Sequence, residues 1–175
     1  DMINENGKTF KVAFSISGVS LELIEQYAPE VLDLLQQLAA TGCVEFLAEP
    51  YSHGLSSLGN VENFLSETKR QAKKIKQLFG QNPKVFRNSS LIYNDEIGAM
   101  VADMGFKGIM VEGAKHILGW KSPHYVYSCA QDSRLSLILR DYKLSDDISL
   151  RFNDASWAEY PLMADKWLGW VSSLP

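Results

Sequence analysis

The sequence predicts an α/β protein with a parallel β-sheet, and three observations carry that prediction. Residues 85–113 read as strand, polar loop, amphipathic helix and second strand, with Ile97, Met100, Val101 and Met104 at the i, i+3, i+4, i+7 spacing of one helix face. Short apolar runs that end in polar loops recur along the chain, at Phe10 to Ile16, Cys43 to Ala48, Val85-Phe86 and Phe106 to Val111, with helical patterns between them. The connections are short, and crossovers between parallel strands have one hand, so the units build an open arc or part of a barrel.

Asp1-Met2-Ile3 reads as the tail of a helix that starts earlier, so the sequence is expected to be a central piece of a longer protein. Asn4-Glu5-Asn6-Gly7 is turn-like, and strand one follows and ends in Ser15-Ile16-Ser17-Gly18. Leu21 to Tyr27 is helical, Pro29 suits a first helical turn, and Val31, Leu32, Leu34, Leu35, Leu38 and Ala39 form a broad apolar face stopped by Gly42. Strand two, Cys43 to Ala48, leads into the loop Glu49-Pro50-Tyr51-Ser52-His53-Gly54. The most regular helix has Val61, Phe64, Leu65, Thr68, Ala72, Ile75, Leu78 and Phe79 on its apolar side, and Gly80 ends it.

In the central unit Asn94 suits an N-cap and Gly105 the position just past the helix. Beyond Gly113 the pattern loosens. Ile117 to Pro123 is a loop holding Trp120, and Tyr125 to Cys129 with Leu135 to Leu139 suggest an antiparallel hairpin. Asp141 to Phe152 is helical turns or loop, and Met163 to Ser172 is a last helix with Trp167 and Trp170 as core residues.

Bulk properties exclude several classes. A length of 175 residues with 46% hydrophobic and 22% charged residues fits one globular domain, residues 1–175, and no stretch approaches the roughly 20 apolar residues of a membrane span. A net charge of −4 leaves no footprint for nucleic acid, because the one basic cluster, Lys69, Arg70, Lys73, Lys74 and Lys76, lies on the polar face of a helix. Two cysteines, Cys43 and Cys129, make no disulfide framework, and a reduced, cytoplasmic setting is expected.

Candidate site residues are the polar groups at strand ends, where parallel sheets and barrels build their sites. In order these are Ser15 and Ser17, Glu49 and His53, Arg87, Asn88 and Ser90, and Glu112. Glu112 ends an apolar strand, where a carboxylate is costly unless it is used or paired, with Arg87 the expected partner. His53 is placed to meet a substrate hydroxyl or to be satisfied by its own loop. Trp120 either stacks on the apolar face of a sugar or packs its loop. The three histidines, His53, His116 and His124, lack metal-ligand spacing and Asp146-Asp147 suit helix capping, so no metal site is predicted, and Ser90 lies in no nucleophile elbow.

Longer stretches carry a resemblance. Gly42 to His53, Phe86-Arg87-Asn88 with Leu91-Ile92-Tyr93-Asn94, Met104 to Gly108 with Glu112-Gly113, Gly119-Trp120 with Ser122-Pro123, and Glu159 to Leu162 with Ala164-Asp165-Lys166 resemble glycoside hydrolase family 57, in its α-amylase branch. The resemblance implies an incomplete part of a seven-stranded parallel β/α barrel, related to polysaccharide deacetylase-like barrels. It also implies action on α-glucans by a retaining mechanism, with no metal or organic cofactor.

Two departures follow from that resemblance. The family's nucleophilic glutamate belongs two residues past Asn88, where this chain has Ser90, and its acid/base aspartate lies at the end of a strand beyond Pro175. A retaining glycosidase needs both carboxyl groups, about 5 Å apart. The family's opening His-Gln-Pro motif is expected to precede the chain. The expectation is thus a catalytically silent, glucan-facing surface of His53, Arg87, Asn88, Glu112 and Trp120 that meets an α-glucan or maltooligosaccharide. An open sheet edge offers a route to self-association. The alternatives are a carbohydrate-binding pseudoenzyme or regulator and a metal-dependent polysaccharide deacetylase, the latter disfavoured by the missing histidine pair.

Overall fold

The computed structural model describes residues 2–174. Its strands are β1 (Val12–Phe14), β2 (Val44–Phe46), β3 (Val85–Arg87), β4 (Gly108–Val111), β5 (Tyr127–Ser128) and β6 (Ser136–Leu139). The helices are α1 (Met2–Glu5), α2 (Gly18–Tyr27), α3 (Pro29–Ala40), α4 (Val61–Phe79), α5 (Asp95–Asp103), α6 (Lys115–Leu118), α7 (Tyr142–Ser149) and α8 (Ala164–Ser172). None of the described helices is long and apolar enough to cross a membrane.

Parallel pairing runs β1 to β2 and β3 to β4 to β6, and β5 adds an antiparallel edge to β6. A single bridge joins the two sheets. The Ala48 N–H donates to the Val85 carbonyl at 3.0 Å, and the Arg87 N–H donates to Ala48 at 2.8 Å. The five parallel strands therefore form one arc, β1-β2-β3-β4-β6, whose C-terminal ends share an edge. The partial parallel α/β barrel expected from the sequence is what the chain adopts, and the hairpin of β5 and β6 is present. Both outer strands run shorter than their apolar patterns, because pairing ends where the loops turn out of the sheet.

Local chemistry accounts for the helix limits. Ser17, Asn60, Asn94 and Asp141 each accept an N–H from the first turn of the helix they precede. Gly80 ends α4 at φ 69°, a left-handed conformation that a side chain would resist. Asp141 is thus the cap of α7, and neither Asp146 nor Asp147 takes that role.

Helix α4 spans both halves of the core. Phe64 near its start packs with Phe86, Ile97, Val101 and Ile109, and Ile75 near its end packs with Leu21, Leu35, Val44 and Phe46. Between them lies Gln71, fully buried, whose side-chain NH2 donates to the Ile16 carbonyl at 3.0 Å and whose Oε1 accepts the Glu49 N–H at 3.4 Å. One side chain thereby ties the loop ends after β1 and β2 to the helix. The sequence reading placed Val61 on this face, but Val61 is exposed at the helix start, where the chain has not yet reached the sheet. Trp167 and Trp170 also depart from the expected core, since α8 has no buried residue and lies at the surface.

Replacing Gln71 by methionine preserves volume but strands a carbonyl and an N–H in the interior. A loss of about 1–3 kcal/mol per unpaired group is expected. Urea denaturation with an unchanged slope measures it.

Candidate functional site

The C-terminal edge of the arc carries a pocket of about 500 Å3 whose floor is Glu49, the residue after the Ala48 bridge. Glu49 is only 2% exposed. Its carboxylate accepts the Ser15 hydroxyl at 2.5 Å and lies 3.7 Å from the Arg87 guanidinium and 3.5 Å from His53 Nδ1. A buried carboxylate is tolerated only with such partners. Arg87 and His53 remain partly open to solvent, and their separations from Glu49 exceed those of a direct hydrogen bond. These are charge contacts, and they leave hydrogen-bonding capacity of Arg87 and His53 open at the mouth. The pocket thus presents one acceptor floor, a guanidinium and an imidazole, with Ser17, Ser20 and Ser52 on its wall.

Backbone geometry marks the same rim. Among the described residues, the non-glycine residues with positive φ are His53 at 55°, Ser90 at 54° and Leu91 at 54°. A left-handed conformation costs such residues on the order of 1–2 kcal/mol and collects where the surrounding structure imposes it. The Ser89–Leu91 turn is imposed by Asn88. Its side-chain NH2 donates to Ser57 Oγ at 3.0 Å and to the Ile92 carbonyl at 2.9 Å, and its Oδ1 accepts the Ser89 N–H at 3.0 Å.

The predicted residues separate into groups. His53 and Arg87 meet around Glu49. Asn88 is fully buried behind them and holds the Ser89–Leu91 turn. Ser90 is exposed just beyond Arg87 and does not line the Glu49 pocket. Glu112 pairs with Arg140, at 2.9 and 3.1 Å, and not with Arg87 as expected; Arg140 also holds Asp146 of α7. The register explains this choice, because Val111 stands opposite Leu139 and the next residues on the two strands are Glu112 and Arg140. Trp120 is 93% exposed and belongs to neither group.

Sequence reasoning missed Arg140 and Gln71. A cue existed for each: Arg140 follows an apolar strand as Glu112 does, and Gln71 sits on the Phe64-Thr68-Ile75 line of α4. Among the described residues, no three of His, Cys, Asp and Glu come together as a metal site.

A second cavity, about 510 Å3, lies beyond β6 between α7 and α8. At its edge His124 Nε2 meets the Asp141 carboxylate at 2.7 Å. Burial would raise the Asp141 carboxyl, but the Leu144 N–H, His124 and the Lys143 N–H together hold it below the ordinary carboxylate range.

With this geometry in place, comparison with known proteins identifies the chain's relatives. The family model for glycosyl hydrolase family 57 matches residues 2–175. This chain belongs to that family. A candidate alpha-amylase of Methanocaldococcus jannaschii is 45% identical over 167 residues, 95% of this chain and 35% of the relative, so the chain spans about a third of that protein. The 4-alpha-glucanotransferase of Thermococcus litoralis superposes with a TM-score of 0.71 at 21% identity, over 86% of this chain and 24% of that enzyme. A candidate polysaccharide deacetylase of Mycobacterium smegmatis superposes with a TM-score of 0.60 at 17% identity, over 82% of this chain and 44% of that one. At these identities the two structures speak to the fold, a barrel type common to family 57 and the deacetylases.

Because the folded-state pKa of Asp141 is depressed, its stabilising contribution is full above the unfolded carboxylate value near 3.9 and fades as pH falls through the folded value. Asp141→Asn is expected to lower the thermal midpoint at pH 7, with the gap to the parent narrowing below about pH 4. Calorimetric melts across that range check it.

Proposed function

We propose that this chain is the glucan-facing part of an α-amylase-like protein that binds α-glucan or maltooligosaccharide without cleaving it. The observation that carries this reading is Ser90, exposed in the loop after β3 of a family 57 chain, beside a rim pocket of hydrogen-bonding groups around Glu49. Retaining hydrolysis needs a carboxylate as its nucleophile. Ser90 occupies the position that the family resemblance gives to the nucleophile, and a hydroxyl cannot form the glycosyl-enzyme as a carboxylate does.

Binding needs less. Glu49 accepts hydrogen bonds from hydroxyls, Arg87 donates, and His53 donates or accepts according to its tautomer, a combination suited to a neutral polyol. The names of the relatives, an alpha-amylase and a 4-alpha-glucanotransferase, support an α-glucan as that polyol. Trp120, fully presented to solvent, is available to stack on a further sugar, and Glu112 steadies the rim through Arg140. The outer edge of β1 is where self-association or further strands of a longer protein would pair. A reduced, cytoplasmic setting belongs to the same reading.

The intact protein is expected to release no reducing sugar from amylose while giving a binding isotherm with maltoheptaose. His53→Ala is expected to weaken that binding about 10-fold, roughly 1.4 kcal/mol. Robust amylose hydrolysis by the unaltered protein sinks the silent reading. The absence of binding by a folded sample sinks the glucan reading.

A further inference from the structure

The cavity between α7 and α8 has no part in the rim pocket. It stands at the other end of the arc, beyond β6, and β3 and β4 set β6 three strand spacings, or about 14 Å, from β2. Its volume of about 510 Å3 falls within the usual range for small-molecule sites, about 300–1,000 Å3. We propose that it is a second saccharide-binding site for the same class of ligand; this inference rests on the α-glucan reading above.

The lining chooses the ligand class. Trp157 and Trp170 meet at 67° with ring centroids 6.2 Å apart, so two half-buried indoles form a corner. An indole offers an apolar face matched to the C–H face of a pyranose. Around that corner stand polar groups whose charges are already balanced. Asp147, almost fully buried, accepts from Arg151 at 2.5 Å; Glu159 pairs with Lys166 at 2.5 Å; Asp141 is held by His124. Each carboxylate in the lining thus has its cation or imidazole.

A strongly anionic ligand would meet three carboxylates, and a strongly cationic one would meet Lys143 and Arg151. Neither gains a net field. A neutral molecule with one apolar face and several hydroxyls gains on both counts. The Arg151 guanidinium, oriented by Asp147 and still 40% exposed, keeps N–H donors free for a pair of vicinal hydroxyls. Lys166 holds Glu159 in place from α8, donating also to the Glu159 carbonyl at 3.1 Å. Orientation of these groups before any ligand arrives reduces the ordering cost of binding.

The test uses maltotriose and the intact protein, with calorimetry for stoichiometry and the indole 1H–15N resonances of Trp157 and Trp170 as a local readout. Two sites are expected. Trp157→Ala and Glu159→Gln should each weaken one of them about 10-fold and leave the other unchanged. In a His53→Ala, Arg87→Gln variant the rim site should disappear, while the two indole resonances still shift on titration. Silent indole resonances in that variant, at millimolar maltotriose, overturn the second site whether or not the Trp157 variant folds. A single site abolished by the rim substitutions has the same meaning and leaves the rim reading intact. Conversely, binding that survives the rim substitutions but not Trp157→Ala supports the second site and removes the rim reading.

Discussion

The fold hangs on a buried polar knot at the ends of β1 and β2. Gln71 reaches from α4 to the Ile16 carbonyl and the Glu49 N–H, and the Glu49 carboxylate closes the knot through Ser15. In a low-dielectric interior, each of these groups must be matched by another. That requirement fixes the height of α4 against the sheet and, with it, the seating of Phe64 in one core cluster and Ile75 in the other. It also fixes the floor of the rim pocket, since the residue whose N–H is held by Gln71 is the one whose carboxylate faces Arg87 and His53.

Ion pairs continue that logic along the rim. Arg87 answers Glu49 across β2 and β3, and Arg140 answers Glu112 across β4 and β6 while reaching Asp146 on α7. Adjacent strand ends thus exchange charge in pairs, and each pair holds a loop where the sheet stops. Glu49, shared with a guanidinium and a serine hydroxyl, is thereby held as a buried hydrogen-bond acceptor facing the rim.

Much of the architecture could be read in advance. The 3.6-residue period of α4 and α5, the caps at Asn94 and Gly80, and the short apolar runs at Val44 and Ile109 depend on local sterics and amphipathicity, which a linear pattern displays. The site was legible at the level of place, with Glu49, His53 and Arg87 all read at strand ends. It was less legible at the level of role. Asn88 looks like a ligand-binding residue in a polar loop, yet it is buried because the left-handed turn at Ser90 and Leu91 needs a cap from within. Glu112 was paired with the wrong arginine, because sequence spacing does not reveal that β6 crosses to lie beside β4.

Residue order alone settled the class of fold, the sequence of its elements and the edge on which polar groups collect, since these follow from periodicity and turn chemistry within a few residues. Partnership was a matter for the folded chain. Which cation neutralises Glu49 or Glu112, which carbonyl and N–H Gln71 holds, and that Trp157 and Trp170 enclose a corner all depend on strand register and helix docking between segments far apart in the chain. Those contacts arise from three-dimensional packing, and no local pattern encodes them.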